Sequence, residues 1–316
     1  MKYYIGVDGG GTKTAIAAAD QNASRLILGS AGSASWREYG IPHVINEIKQ
    51  AVFSLPFSKR YSIGGIALGI PCVAESIEGD RALEDEIKKA FPGIAVYLAN
   101  DVEVGWAGSL GLSPGVNVVA GTGSIAFGKN KAGQAARCGG WSEFYGDEGS
   151  CYWLGRKLME IFSKQSDGRM ERDALYEAVR SHFSLANDFE FIDIMCNEYV
   201  TQRDKTASLQ MLLKDAARTG SPSAKQAYSA AVLEIASLVT AISKKLAFEE
   251  VPFLVSYSGG LFKAGDLVLP QLAAEVEKIG GELTPPLYEP ATGALLLAFS
   301  EFSKEKLPGV HELLKR

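Results

Sequence analysis

Tyr3-Tyr4-Ile5-Gly6-Val7-Asp8-Gly9-Gly10-Gly11-Thr12-Lys13-Thr14 opens the chain, and a second apolar run, 15–19, follows directly. An apolar strand runs into a glycine turn and out as another strand. Three consecutive glycines remove every side chain from the turn. Its backbone N–H groups can then close around an anion, a phosphate before any other. Asp8 stands at the edge of that cradle, where a carboxylate holds a hydrated Mg²⁺. Gly9, Gly10, Gly11, Thr12 and Lys13 are the candidate phosphate contacts. The spacing is neither that of a P-loop nor that of a Gly-x-Gly-x-x-Gly dinucleotide turn. Residues 14–28 read as strand, turn, strand, not as a helix start. A hairpin without a ligand needs only two turn residues, so the longer glycine–threonine run favours phosphate.

The chain has 316 residues, room for two domains with a core each. A hydrophobic content of 47% and a charged content of 22% are those of an ordinary globular protein. The net charge of −5 offers no basic footprint, so no nucleic-acid partner is expected. No apolar run is expected to reach the length of a membrane span, and the N-terminus lacks a signal-peptide layout. Cys72, Cys138, Cys151 and Cys196 have no Cys-x-x-Cys spacing, and His43, His182 and His311 are scattered. A zinc site is not expected, and reduced thiols in the cytoplasm are.

Apolar spacing predicts helices over 41–55, 81–90 and 103–110, with buried strands over 62–70 and 95–98. The opening pattern then returns. Residues 116–120 read as a strand, Gly121-Thr122-Gly123-Ser124 as a glycine turn, and 125–128 as the strand that leaves it. The first copy carries Asp8 before its glycines and the second carries Ala120, so a duplicated fold with one magnesium-side copy is inferred. Helices are expected over 151–163, through much of 172–214, and over 224–248 and 266–278. A strand over 253–256 ends in a third glycine turn, Ser258-Gly259-Gly260. A strand-like piece after Pro285-Pro286 and a final apolar helix over 291–302 close the chain.

Asp101 lies just past a buried strand, where ligands gather in open α/β sheets. A carboxylate there can take the proton of a substrate hydroxyl during phosphoryl transfer. The plainer alternative is an N-cap for the following helix. Gly146-Asp147-Glu148-Gly149 sets two acids at a helix start. They suit the helix dipole, or they bind sugar hydroxyls. Trp141 covers an apolar sugar face or is simply packed.

These motifs occur together, in this order, in a known family. Asp8 to Thr14, Asn100-Asp101, Gly121 to Ser124, Gly139-Gly140-Trp141, Gly146 to Ser150 with Tyr152-Trp153, and Ser258 to Gly260 carry the likeness. The chain resembles the BadF/BadG/BcrA/BcrD-type ATPases over nearly its whole length, and within them the N-acetylglucosamine kinases. The resemblance implies an α/β protein of two ribonuclease-H-like (actin-like ATPase) domains with a nucleotide cleft between them. The expected division is 1–112 and 113–316, with the last helix packing back on the first domain. It implies ATP and Mg²⁺ as cofactors. Asp8 organises the metal through water, Thr12, Thr122 and Gly123 hold phosphates, and Gly259, Gly260 and Ala217 lie toward adenosine. Asp101 is the base for the sugar 6-hydroxyl. Ser35, Ser124, Gly140, Trp141, Ser142, Glu143 and Asp147 belong to the sugar side. The substrate implied is an amino sugar, N-acetylglucosamine before glucosamine or N-acetylmuramic acid, and a homodimer is open. An asparagine that relatives use for the sugar is replaced at or near Ser35, and another by Ile125, which leaves the sugar's identity unsettled. The family also contains ATP-driven activators of dehydratases, but Cys138 has no second suitably placed cysteine for their iron–sulfur cluster.

Overall fold

The computed structural model describes residues 1–11, 13–57 and 62–315, so Thr12 lies outside the described residues. The chain divides into two compact units, Met1–Asn117 with Pro285–Arg316, and Val118–Thr284.

The first unit is built on β1 (Lys2–Gly9), β2 (Thr14–Asp20) and β3 (Leu26–Ala31). The helices α1 (Trp36–Tyr39) and α2 (Ile41–Ser54) lead to β4 (Ser62–Ile70), and α3 (Ile77–Ala90) leads to β5 (Val96–Asn100) and α4 (Asp101–Leu110). The strand order is β3-β2-β1-β4-β5. Strands β1 and β2 are antiparallel, while β1, β4 and β5 run parallel. The carboxyl ends of β1, β4 and β5 therefore meet at one edge, where this class of sheet binds ligands. Alanine has little intrinsic preference for a strand. Pairing makes β2 one: Val7 faces Ile16 and Ile5 faces Ala18, with 16–20 buried.

The second sheet opens with β6 (Gly115–Ala120), whose first three residues still count with the first unit, then β7 (Ser124–Lys129) and β8 (Ala135–Gly139). Six helices follow: α5 (Cys151–Ser166), α6 (Ala174–Phe183), α7 (Glu190–Ile194), α8 (Arg203–Ser208), α9 (Gln210–Arg218) and α10 (Pro222–Leu246). Then come β9 (Phe253–Ser258), a 3₁₀ segment (Gly260–Leu267), α11 (Leu269–Lys278) and β10 (Gly281–Leu283). Read from β8, the order β8-β7-β6-β9-β10 repeats that of the first sheet. The pairing senses repeat as well, antiparallel for β7/β8 and parallel for β9/β10. This is the duplicated α/β arrangement that the two glycine turns predicted.

The chain ends with α12 (Pro290–Phe302) and α13 (Leu307–Leu314), which belong to the first unit. Backbone meets backbone under α12. A Cβ on Gly6 of β1 would collide with the Leu295 backbone, and one on Gly293 with Gly108 N and Val104 O of α4. Gly293→Val is therefore expected to cost about 3 kcal/mol or more, because neither helix can give way without moving its axis. Urea unfolding measures it, and an unchanged midpoint would remove the close seat.

Four expectations are corrected. No strand follows the prolines; β10 precedes them, and Leu287 and Tyr288 instead donate N–H bonds to the Ser109 and Gly108 carbonyls of α4. The apolar helix there is not the last, since α13 follows. The helix expected from 266 starts at Leu269, after Gly265 breaks the chain at φ 47°, ψ −92°. By length and composition α10 does suffice to cross a membrane, alone among the described residues. Its Ala224, Val232, Ile235, Val239 and Ile242 are buried, the packing of a core helix. Strand β8 had no expectation at all.

Candidate active site

In the first unit the glycine turn closes with Gly10 N–H donating to Lys13 O at 3.1 Å. Gly9 is packed so tightly that a Cβ would stand 2.7 Å from Ala34 Cβ and 2.8 Å from Gly69 O. Among the described residues outside its chain neighbours, nothing lies within 4 Å of a Cβ built on Gly11. Lys13 is exposed beside it. The segment after β3 straps the turn from one side. Ala34 N–H donates to Gly10 O at 2.9 Å and Ser33 Oγ to Gly11 O at 2.6 Å. Ser35 starts α1 from that strap, and its side chain makes no capping bond.

Asp8 sits at the end of β1 with its carboxyl pushed up to about 7. Burial is the larger cause, and the negative charges of Asp101 and Glu289 add to it. The cap of α4 is Asn100, whose side chain accepts the Val102 N–H at 3.1 Å. Asp101 is the first helical residue rather than the cap, and it accepts the same N–H at 3.0 Å. Glu289 comes from the start of α12, where Pro290 follows it. Three carboxylates from three elements thus converge electrically on the end of β1. Among the described residues no group of three or more His, Cys, Asp or Glu stands close enough to hold a metal directly. A cation there would be held largely through its water shell, as Mg²⁺ commonly is.

In the second unit Gly121 N–H donates to Gly123 O at 2.9 Å, and the Cys151 N–H at the start of α5 donates to Gly121 O at 2.8 Å. Ser150 caps α5, accepting the Trp153 N–H at 3.1 Å. Gly259 (φ 107°) lies so close that a Cβ would collide with Ala120 O, which brings the second and third glycine turns together. Ala217 is buried in the core face of α9. Its neighbour Arg218 bonds Asp266 at 2.6 Å, tying α9 to the segment after Gly260.

A model of the BadF/BadG/BcrA/BcrD ATPase family matches residues 5–298. The chain belongs to that family. A curated relative, the N-acetylmuramic acid/N-acetylglucosamine kinase of Clostridium acetobutylicum, is 28% identical over 83% of this chain and 86% of its own. The N-acetyl-D-glucosamine kinase of Dictyostelium discoideum is 26% identical over 94% of this chain and 98% of its own. A solved structure from Chromobacterium violaceum, named as a candidate N-acetylglucosamine kinase, matches with TM-score 0.72 and 27% identity over 94% of this chain and 99% of that one.

Within this BadF/BadG/BcrA/BcrD chain, the loop over 139–149 turns some side chains to solvent and others inward. Trp141 is 72% exposed, so the simply packed alternative fails. Asp147 is only 4% exposed at φ 58°, and its carboxylate faces inward. It accepts the Ser124 N–H at 3.1 Å and pairs with Arg203. Arg203 also stands 3.6 Å from Glu143, which accepts from the Ser142 hydroxyl at 3.3 Å. Ser124 is buried, donating to Glu148 O at 2.7 Å and accepting the Gly140 N–H at 2.9 Å through its own carbonyl. Thr122 Oγ1 donates to Asp204 at 3.3 Å. Arg203, Asp204 and Glu289 were absent from the sequence reading. Only the Glu289-Pro290 helix start left a signal there.

Proposed function

We propose that this protein is an ATP-dependent amino-sugar kinase, transferring the γ-phosphoryl group to the 6-hydroxyl of N-acetylglucosamine or a close relative. The observation that carries the reading is the convergence of Asp8, Asp101 and Glu289 beside a glycine turn. That combination offers a phosphate cradle, an acidic position for a hydrated cation and a base within one unit. The curated relatives' names support it.

Asp101 takes the proton from the sugar hydroxyl as its oxygen bonds to the γ-phosphorus. The bond from that phosphorus to the β–γ bridging oxygen breaks, and ADP leaves. Bound Mg²⁺ would supply charge neutralisation at the phosphates, and the buried Asp8 carboxyl, with the negative charges of Asp101 and Glu289 acting on it, fits a cation there. The turns at 9–13 and 121–124 orient phosphates through backbone N–H groups, with Lys13 and Thr122 adding side-chain donors. Gly259, Gly260 and the end of α9 near Ala217 take the adenosine side. Gly140, Trp141, Ser142, Glu143 and Ser35 take the sugar side. Buried Asp147 and Ser124 act from behind, fixing the second turn and the loop over 139–149. The two compact units are the two ribonuclease-H-like halves of this reading, with the chain from Pro285 assigned to the first.

ATP consumption over N-acetylglucosamine, glucosamine, N-acetylmuramic acid, N-acetylmannosamine and glucose tests it. Turnover is expected with N-acetylated sugars above the rest. Phosphorylation of none of the five overturns the reading.

A further inference from the structure

We infer that Arg37 selects acceptors that carry a carboxylate, an N-acetylated amino sugar with an acidic ring substituent being the fitting class. The inference rests on the kinase reading and names its substrate more closely.

Arg37 grows from a segment anchored on two sides. Ser33 and Ala34 hold the phosphate turn, and the Trp36 indole donates to Pro71 O, just past β4, at 2.8 Å. The Arg37 guanidinium lies 5.6 Å from the Trp36 ring centroid, and its Nη2 stands 3.1 Å from Glu75 Oε2. Glu75 belongs to the loop after β4, in which Cys72 and Ala74 both hold φ 65°. That loop is tied to the reacting end of the sheet, because Asn100 Nδ2, one residue before Asp101, donates to Val73 O at 2.8 Å.

The Cys72 thiol registers the same neighbourhood. Burial pushes it up to about 11, Glu75 and Asp101 add to the rise, and Arg37 opposes them. Arg37, Glu75 and Asp101 therefore act on one spot.

A purely structural role does not account for this arginine. Its side chain is 57% exposed, and exposed ion pairs add little to stability. The neighbourhood carries negative charge, since Glu75 and Asp101 act with Arg37 on the same Cys72 thiol. An acceptor bearing its own carboxylate would be repelled there unless a cation met it. A guanidinium fork already holding one carboxylate, Glu75, has the geometry to hold another.

Calorimetric binding of N-acetylmuramic acid, its methyl ester and N-acetylglucosamine to the full chain tests the inference. The ester keeps the bulk of the acid and removes its charge. Wild type is expected to bind the acid at least about 10-fold more tightly than the ester. Arg37→Gln is expected to weaken the acid by about 10- to 100-fold more than it weakens the ester. Arg37→Lys should recover part of the difference. The ratio of kcat/KM for the acid to that for N-acetylglucosamine should fall with Arg37→Gln by a similar factor. Acid bound no better than ester, or all three ligands weakened alike by Arg37→Gln, overturns it. Binding is read without turnover. An acid preference that depends on Arg37 in a protein that phosphorylates no sugar would sink the kinase reading and leave this one standing.

Discussion

Asp101→Asn is expected to lower kcat by about 10²- to 10⁴-fold while ATP affinity stays within a few-fold of wild type. Asparagine keeps the shape of the side chain and an oxygen that can accept the Val102 N–H, now accepted at 3.0 Å. It cannot take the proton of an attacking hydroxyl. The helix does not depend on the carboxylate either, because Asn100 is the cap. The variant also removes a negative charge that raises Asp8, so folding is not expected to suffer. A loss in kcat with little change in KM is the mark of a group used mainly in the transition state. Steady-state kinetics and a nucleotide titration separate the two quantities. Near-normal turnover would take Asp101 out of the base role.

The parts of this fold that were legible in the sequence are those carried by local pattern. Strand, glycine–threonine turn and strand at 3–19 and again at 116–128 announced a repeat, and both sheets have the same strand order. Strand β8 was not legible. Ala135-Ala136-Arg137-Cys138-Gly139 carries no β-branched or aromatic residue, and it becomes a strand by pairing with β7. The three residues of β10 are too few to show an alternation.

The candidate site, as proposed, divides in the same way. The glycine turns, Asp8 and Asp101 are contiguous with strands and could be read from them. Glu289 lies 188 positions beyond Asp101 along the chain, and only the seating of α12 on β1 and α4 brings its charge to Asp8. Arg203 opens α8, far from the Gly-Asp-Glu-Gly run, and nothing in its neighbours announces a partner. The direction of Asp147 is set by a left-handed backbone at φ 58° that residue type alone does not reveal.

Asp8→Asn is expected to move stability and activity in opposite directions. The Asp8 carboxyl is raised from 3.8 to about 7, mainly by burial. Across that interval the folded protein keeps a proton that the unfolded chain has released. Metal-free stability therefore falls as pH rises from about 4 to about 7, and above that the full cost of the buried charge is present. Asparagine has no such charge. The variant should match wild type near pH 4 and exceed it by roughly 1–3 kcal/mol near pH 8, with chelator present. Turnover should drop by about 10²-fold or more if Asp8 holds the cation proposed above, because that cation would lose its negative position. Adding Mg²⁺ with nucleotide should raise the wild-type melting temperature more than that of the variant, since only wild type gains a neutralised Asp8. Thermal unfolding at the two pH values, with and without Mg²⁺ and nucleotide, measures all of this. A variant less stable than wild type near pH 8 would mean that Asp8 already has its compensating partner inside the protein. The acidic face at the end of β1 would then have no need of a metal.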